Sequence, residues 1–147
     1  IMSKWVLLLG GSTGHGAATA KKLASEGYGI IAFHFDRGDA KKVANETIEE
    51  VKHITNNRCH YFNTNATSEK TMNEFIPKIK EITNGNPLKL LLHSIAFANY
   101  SAEKKSFLDT DKNDYLEATN ISCFSLVTMS KYLQKSFVND ASIGTIH

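Results

Sequence analysis

Short apolar runs alternate along the chain with longer stretches in which apolar residues recur every three or four positions. The runs predict five strands, over residues 4–9, 29–35, 58–63, 88–93 and 142–146. The longer stretches predict four helices, over about 15–26, 38–56, 67–84 and 111–138. Because the strands are apolar almost throughout, helices must cover both faces of the sheet. The alternation therefore predicts an α/β fold, a doubly wound parallel sheet in three layers.

Apolar stripes on three of the predicted helices mark the faces that we expect to be buried. The stripe of the second helix consists of Val43, Thr47, Val51 and Ile54. The stripe of the third helix consists of Met72, Phe75, Ile76, Ile79 and Ile82. The stripe of the last helix consists of Leu126, Met129, Leu133 and Phe137.

The turn between the first strand and the first helix is rich in glycine and reads Gly-Gly-Ser-Thr-Gly-His-Gly over residues 10–16. The first turn of a helix offers unpaired N–H groups and the positive end of the helix dipole, so such a turn suits a phosphate group. We expect Gly10 to make the tight exit from the strand and Gly16 to bring the helix close to it. Gly14 would let the backbone approach a pyrophosphate. A glycine-rich loop without a ligand is the alternative.

Three polar residues of this turn, Ser12, Thr13 and His15, are expected to line the same phosphate site, two of them through their hydroxyl groups. The turn is not a P-loop, because Ala17 and Ala18 stand where a P-loop requires Lys and then Ser or Thr.

Length, charge and composition limit the function classes. A chain of 147 residues, 41% hydrophobic and 22% charged, predicts one domain over 1–147. The net charge of +2 is too small to favour nucleic acid as a partner, and no apolar run is long enough to span a membrane.

The cysteines indicate the cellular compartment, and the histidines do not indicate a metal-binding site. Cys59 lies in a predicted strand and Cys123 in a predicted helix, so we expect two buried free thiols in a reducing, cytoplasmic compartment. The six histidines show no close ligand spacing, which does not favour a metal site.

The glycine motif resembles that of the short-chain dehydrogenase/reductase superfamily, and the resemblance continues in order along the chain. Asn65, with the adjacent Ala66, falls where the family has an Asp that contacts the adenine of a dinucleotide. Ser94, Ile95 and Ala96, after His93, take the place of the family's Asn-Asn-Ala-Gly segment. Asn120 matches the Asn that organises the active site and its proton-relay water. The resemblance implies a Rossmann-type domain that binds NAD or NADP, and a homodimer or homotetramer formed through the 111–138 helix.

A subgroup is indicated by residues 93–98, His-Ser-Ile-Ala-Phe-Ala, which look like the Ser-Ile-Ala segment of bacterial enoyl-acyl-carrier-protein reductases. Residues 115–125 are similar to the helix that follows in those enzymes, although they usually have Asp where this chain has Asn120. Three aromatic residues, Phe97, Tyr100 and Phe107, either border the nicotinamide and substrate cleft, pack in the core or contact a loop.

Cofactor preference depends on the end of the second strand, which reads His34-Phe35-Asp36-Arg37. Asp36 lies twenty residues after Gly16, as expected for a carboxylate that binds the ribose of NAD. Alignment on Gly27 instead places the selecting position nearer Phe33 or His34, which leaves Arg37 for the phosphate of NADP. NADP is favoured, NAD stays open, and an ordinary exposed turn is the alternative for Asp36 and Arg37.

The resemblance implies a catalytic Ser after the fifth strand and a Tyr-x-x-x-Lys pair beyond it, and the 147 residues stop about where that Ser would come. We therefore expect the cofactor-binding half of an oxidoreductase that transfers hydride to a carbonyl or an enoyl thioester. The alternatives are a catalytically silent dinucleotide-binding sensor and, with a glycine loop less suited to it, a methyltransferase that binds S-adenosylmethionine.

Overall fold

A computed structural model describes residues 3–99 and 106–146 and contains one five-stranded sheet. The strands are β1 (Trp5–Leu9), β2 (Gly29–His34), β3 (Cys59–Asn63), β4 (Leu88–His93) and β5 (Phe137–Thr145). The main helices are α1 (Gly14–Ser25), α2 (Ala40–Thr55), α3 (Glu69–Ile82), α4 (Lys112–Thr119) and α5 (Ser125–Leu133). A short 3₁₀-helix, Phe107–Asp109, precedes α4. The expected α/β fold is confirmed.

The sheet is parallel throughout, in the order β3-β2-β1-β4-β5. The chain builds outward from β1 through β2 to β3, then crosses back to place β4 on the other side of β1. The direction of winding therefore reverses between β1 and β4. In open parallel sheets, the crevice at such a reversal, beyond the carboxyl ends of the strands, is where ligands bind.

Each face of the sheet has its own core. On one face, β1 and β2 pack with α3 and α5 around a cluster that includes Leu7, Phe33, Met72 and Met129. On the other face, α1 and α2 pack around a cluster that includes Val6. Every residue of β1 and β2 is buried, and because helices cover both faces of these central strands, all of them except His34 at the end of β2 are apolar or glycine.

The buried face of α2 differs from the predicted stripe. Thr47 and Val51 are buried as expected, but Val43 and Ile54 are exposed, and the short side chains of Ala44 and Thr55 take their places. The buried residues of α1 are also short: Gly16, Ala17, Ala20 and Ala24. Small side chains on both helices allow close packing, so the larger apolar residues of α2 lie at its edge. The stripe of α3 is confirmed, with Met72, Phe75 and Ile79 buried and Ile76 and Ile82 partly buried.

The long helix predicted over 111–138 is wrong in two places. A π-helical turn, Asn120–Phe124, separates α4 from α5, and after a 3₁₀-turn, Gln134–Ser136, the chain enters β5 at Phe137. Phe137 therefore packs on the core from a strand, and β5 begins five residues earlier than the predicted 142. Cys123 lies in the π-helical turn and is exposed, not buried, whereas Cys59 is buried as expected.

Candidate functional site

A pocket of about 430 Å³ lies beyond the carboxyl ends of the strands. Segments that follow four of them form its walls: the glycine-rich loop after β1, residues 33–36 at the end of β2, residues 64–67 after β3, and residues 94–97 after β4. Glu117 of α4 and Ile121 of the π-helical turn complete the lining. The volume is within the usual range for small-molecule sites. The topology thus brings together segments far apart in sequence at the place where such sheets bind ligands.

Two glycines of the loop occupy positions where a side chain would collide with backbone. Gly10 has a φ of +84°, and a Cβ there would lie 2.1 Å from the carbonyl oxygen of Ser94. A Cβ at Gly16 would lie 1.7 Å from the carbonyl oxygen of Gly10. Gly10 therefore allows the loops after β1 and β4 to touch, and Gly16 allows α1 to begin directly against the loop.

The amino terminus of α1 lacks a side-chain cap among the residues described. Thr13 stands at the N-cap, but its side chain makes no capping hydrogen bond, and the first turn of α1 contains no acidic residue. At α3, by contrast, the hydroxyl of Ser68 accepts a hydrogen bond from the backbone N–H of Thr71. The N–H groups of α1 and the helix dipole can therefore act on an anion beside the loop.

The predicted residues of the glycine turn do not all border the pocket. Gly10, Ser12 and Thr13 line it. Gly14 has a φ of +53° and open space around the Cβ position, and His15 is exposed. Neither of these two, nor Gly16, is part of the described lining.

Asp36 is the centre of a polar cluster at the end of β2. Its Oδ2 accepts a hydrogen bond from the hydroxyl of Ser12 at 2.6 Å and lies 2.7 Å from Nδ1 of His34. Asn63 at the end of β3 fixes the backbone of Asp36, accepting from its N–H at 3.1 Å and donating to its carbonyl oxygen at 3.0 Å. Asp36 and His34 line the pocket, whereas Arg37 is exposed, outside the described lining, with its guanidinium 4.6 Å from the ring centre of Phe35.

Tyr61 of β3 supports this cluster from below. Its hydroxyl donates to the carbonyl oxygen of Gly11 at 3.3 Å, and its ring centre lies 6.1 Å from that of His34. Burial raises the pKa of Tyr61 well above its ordinary value, so its hydroxyl remains a donor at physiological pH. Tyr61 thereby connects the glycine-rich loop to the end of the sheet.

The segment after β3 contributes Asn65 and Ala66, both of which line the pocket. The side-chain oxygen of Asn65 accepts hydrogen bonds from the backbone N–H of Thr67 at 3.0 Å and from its hydroxyl at 2.7 Å. Asn65 thus stabilises its own loop, and Ala66 is buried.

The segment after β4 places Ser94, Ile95 and Ala96 on the pocket wall. The preceding residue, His93, is fully buried, with Nε2 2.6 Å from the hydroxyl oxygen of Ser125. That hydroxyl donates its single proton to the carbonyl oxygen of Ile121 at 2.7 Å, so the His93 Nε2–H is the donor to Ser125. His93 therefore joins the end of β4 to the π-helical turn.

Asn120, the predicted catalytic residue, begins the π-helical turn and is exposed, and it is not among the described lining residues. Its neighbours Glu117 and Ile121 line the pocket instead and were missed from sequence. Their spacing of four residues, which places two side chains on one helical face, was the available signal.

The aromatic residues expected near the cleft have different surroundings. Phe97 lines the pocket, and its backbone N–H donates to the hydroxyl of Ser122 at 2.9 Å. Phe107 is 88% exposed and is not part of the described lining. Tyr100 lies outside the described residues. Leu9, Phe35, Thr64 and Thr67 also line the pocket and were not predicted. Phe33, which the sequence placed with His34 near the cofactor-selecting position, lines it too.

Strand order, glycine-rich loop and pocket together define a Rossmann-type fold. A family model described as enoyl-(acyl carrier protein) reductase matches residues 10–147, and the chain belongs to this family. Among the helices that the structure describes, none combines the length and apolar character needed to cross a membrane.

A curated protein and several solved structures are similar to this chain. The chain is 33% identical over 61 residues to the NADH-type enoyl-acyl-carrier-protein reductase FabI of Rickettsia typhi. Those 61 residues are 42% of this chain and 23% of the relative. An enoyl-(acyl-carrier-protein) reductase from Anaplasma phagocytophilum, solved in complex with NAD, is 18% identical with a TM-score of 0.73 over 97% of this chain. A short-chain dehydrogenase from Burkholderia cenocepacia, solved with NADP, is 18% identical with a TM-score of 0.77 over 98% of this chain.

The aligned chain is shorter than these relatives. It spans 52% of the Anaplasma structure and 55% of the Burkholderia structure.

Proposed function

We propose that this chain is the cofactor-binding part of an NAD(P)-dependent oxidoreductase that transfers hydride to a carbonyl or an enoyl thioester. The observation that carries the proposal is the convergence of four strand ends on one pocket beside the uncapped amino terminus of α1. Membership of the enoyl reductase family supports the reaction class.

The residues of the pocket suit the parts of a dinucleotide. The amino terminus of α1, with Gly10 and Thr13 on the pocket wall and Gly14 next to Thr13 outside the described lining, would hold the pyrophosphate. Asp36 would accept a hydrogen bond from the adenosine ribose, and Asn65 and Ala66 would border the adenine. Residues 94–96 would lie along the nicotinamide half. When bound, the nicotinamide supplies the hydride, and Asn120 is proposed to support the accompanying proton path.

The pocket supports NAD over NADP, although the sequence favoured NADP. Asp36 is on the wall, Arg37 is not, and no lysine or arginine is among the described lining residues. A 2′-phosphate would meet the negative charge of Asp36 without a cation to offset it, whereas a 2′-hydroxyl could donate to that carboxylate.

The test is a titration of NADH and NADPH into the full-length polypeptide that contains these residues, followed by absorbance assays with crotonyl and acetoacetyl thioesters. Binding with turnover supports the reductase and identifies the substrate class. Binding without turnover on either thioester leaves two functions open, a reductase of another substrate and the silent sensor. Failure to bind either nucleotide contradicts the proposal.

An oligomer is part of the same proposal. Leu116, Phe124 and Val127 on α4, the π-helical turn and α5 are each more than half exposed, which suits a face that meets a second copy of the chain. Sedimentation of the Val127→Glu variant should show smaller particles than the wild type. Val43→Glu, on the exposed side of α2, is the matched control and should leave the assembly unchanged. A cytoplasmic location stays a prediction.

A further inference from the structure

The carboxylate of Asp36 is held by one of its two oxygens. The hydroxyl of Ser12 and Nδ1 of His34 both contact Oδ2, at 2.6 and 2.7 Å. Because a carboxylate only accepts, Nδ1 of His34 carries the proton that it shares with Asp36. Ser12 lies 24 positions earlier in the sequence, in the glycine-rich loop, so two separate segments fix one oxygen atom.

The backbone beneath this carboxylate is fixed as well. The paired hydrogen bonds of Asn63 hold the N–H and the carbonyl group of Asp36 in place. The Asp36 side chain is 15% exposed and that of His34 is 6% exposed, so little room remains for the carboxylate to turn toward solvent. Oδ1 has no hydrogen bond within the described chain, and Asp36 lines the pocket. A fixed backbone and a fixed Oδ2 therefore hold the carboxylate beside the pocket.

We propose that Ser12 and His34 are specificity-determining residues, which hold the Asp36 carboxylate so that the pocket accepts a nucleotide with a free 2′-hydroxyl and rejects one with a 2′-phosphate. The inference rests on the proposed dinucleotide function. A carboxylate that could swing away would tolerate a 2′-phosphate, whereas a held carboxylate cannot retreat from it. Holding the carboxylate in advance also improves its hydrogen bond to a hydroxyl, because less freedom is lost on binding.

The quantity to measure is the affinity for NADH divided by the affinity for NADPH. Ser12→Ala removes one donor, and His34→Leu removes the other. Each variant should bind NADH more weakly and NADPH no more weakly than the wild type, so that the preference for NADH falls by about five- to tenfold. The conservative variants Ser12→Thr and His34→Asn keep a donor near the same place and should retain most of the preference. Dissociation constants are measured by nucleotide fluorescence in the full-length polypeptide.

Matched controls separate this role from general damage. Ser25→Ala and His53→Leu remove the same side-chain types from exposed positions on α1 and α2 and should leave the ratio unchanged. Circular dichroism identifies any variant that fails to fold, and Ser12→Ala, the smaller change, then decides the test. Equal weakening of both nucleotides, or an unchanged ratio, overturns the inference, because a merely structural role would affect both alike.

A reference variant distinguishes this inference from the proposed function. Asp36→Asn removes the charge and should lower the preference for NADH by about tenfold or more. If Asp36→Asn lowers the ratio while Ser12→Ala and His34→Leu do not, the carboxylate selects the nucleotide without help from its neighbours, and the inference is wrong while the site stands. If the wild-type protein binds neither nucleotide, both the proposed function and this inference are wrong.

Discussion

Replacing Gly16 by Ala tests whether contact between α1 and the glycine-rich loop sets the shape of the pocket. The new Cβ would lie 1.7 Å from the carbonyl oxygen of Gly10, and the nearby Cα of Gly11 would be only 3.3 Å away. Both neighbours are backbone, so no side chain can rotate to relieve the collision. The start of α1 must move outward by about 1.5 Å to restore van der Waals contact.

In the Gly16→Ala variant, the cost of overpacking should exceed the gain in helix propensity and destabilise the folded protein. Alanine gains at most about 1 kcal/mol of helix propensity over glycine. Overpacking costs about 1–3 kcal/mol, and here the helix loses contact along its buried alanine face. We expect a net loss of about 1–2 kcal/mol in the free energy of unfolding. Affinity for the nucleotide should fall as well, because Gly10 lies on the pocket wall.

Urea unfolding followed by tryptophan fluorescence measures the loss, since Trp5 is the single tryptophan of these 147 residues and is buried in β1. Gly144→Ala is the matched control: its Cβ would be 3.7 Å from the nearest atom, a Cδ1 of Leu92, an ordinary contact. That control should remain within about 0.5 kcal/mol of the wild type. A Gly16→Ala variant as stable as wild type, with unchanged nucleotide affinity, would refute the reasoning.

Three further changes test other parts of the structure. Gly14→Val places a β-branched residue at a φ of +53° and fills the space proposed for the pyrophosphate. Nucleotide affinity, measured by titration, should fall by about tenfold or more. Unchanged affinity in a folded variant would count against this placement of the loop. Met129→Ala opens a cavity at a fully buried position. Urea unfolding should show a free energy of unfolding lower by about 2–5 kcal/mol. A loss under about 1 kcal/mol would show that the surrounding core collapses to fill the cavity. Burial lowers the pKa of His60 below its ordinary 6.5, so the folded state binds a proton less readily than the unfolded state, and stability is lost as pH falls from that value through the folded pKa. The drop in stability between about pH 7.5 and about pH 5.5 should be smaller in His60→Phe than in wild type, and an equal drop would show that His60 does not contribute.

Patterns of apolar residues and glycines within short stretches of the chain were enough to predict several strands, turns and helix faces. The all-apolar β1 and the glycines after it could be recognised because burial on two faces and a sharp backbone turn each restrict the residues allowed at those positions. The stripe of α3 was also correct, because its large apolar residues are the ones that fill the core. The stripe of α2 was wrong at its ends, because the short buried faces of α1 and α2 pack closely and leave Val43 and Ile54 at the edge.

Breaks within a continuous periodic stretch were not predictable in the same way. The π-helical turn at Asn120–Phe124 has no proline or glycine to announce it. It coincides with the place where the hydroxyl of Ser122 contacts the loop after β4 and Ser125 contacts His93. These contacts join residues about 25 to 32 positions apart, so periodicity along the helix contains no information about them.

The sequence by itself determined the parallel sheet and the glycine-rich turn, because strand burial and backbone conformation depend on neighbouring residues. Only the tertiary structure decided which polar groups form the pocket. It placed Asp36 on the wall and Arg37 outside it, and it directed the Ser12 hydroxyl to Asp36 across 24 positions. The physical reason is that parallel strands align their carboxyl ends regardless of sequence separation, so the site is assembled from contacts that no single stretch of the chain contains.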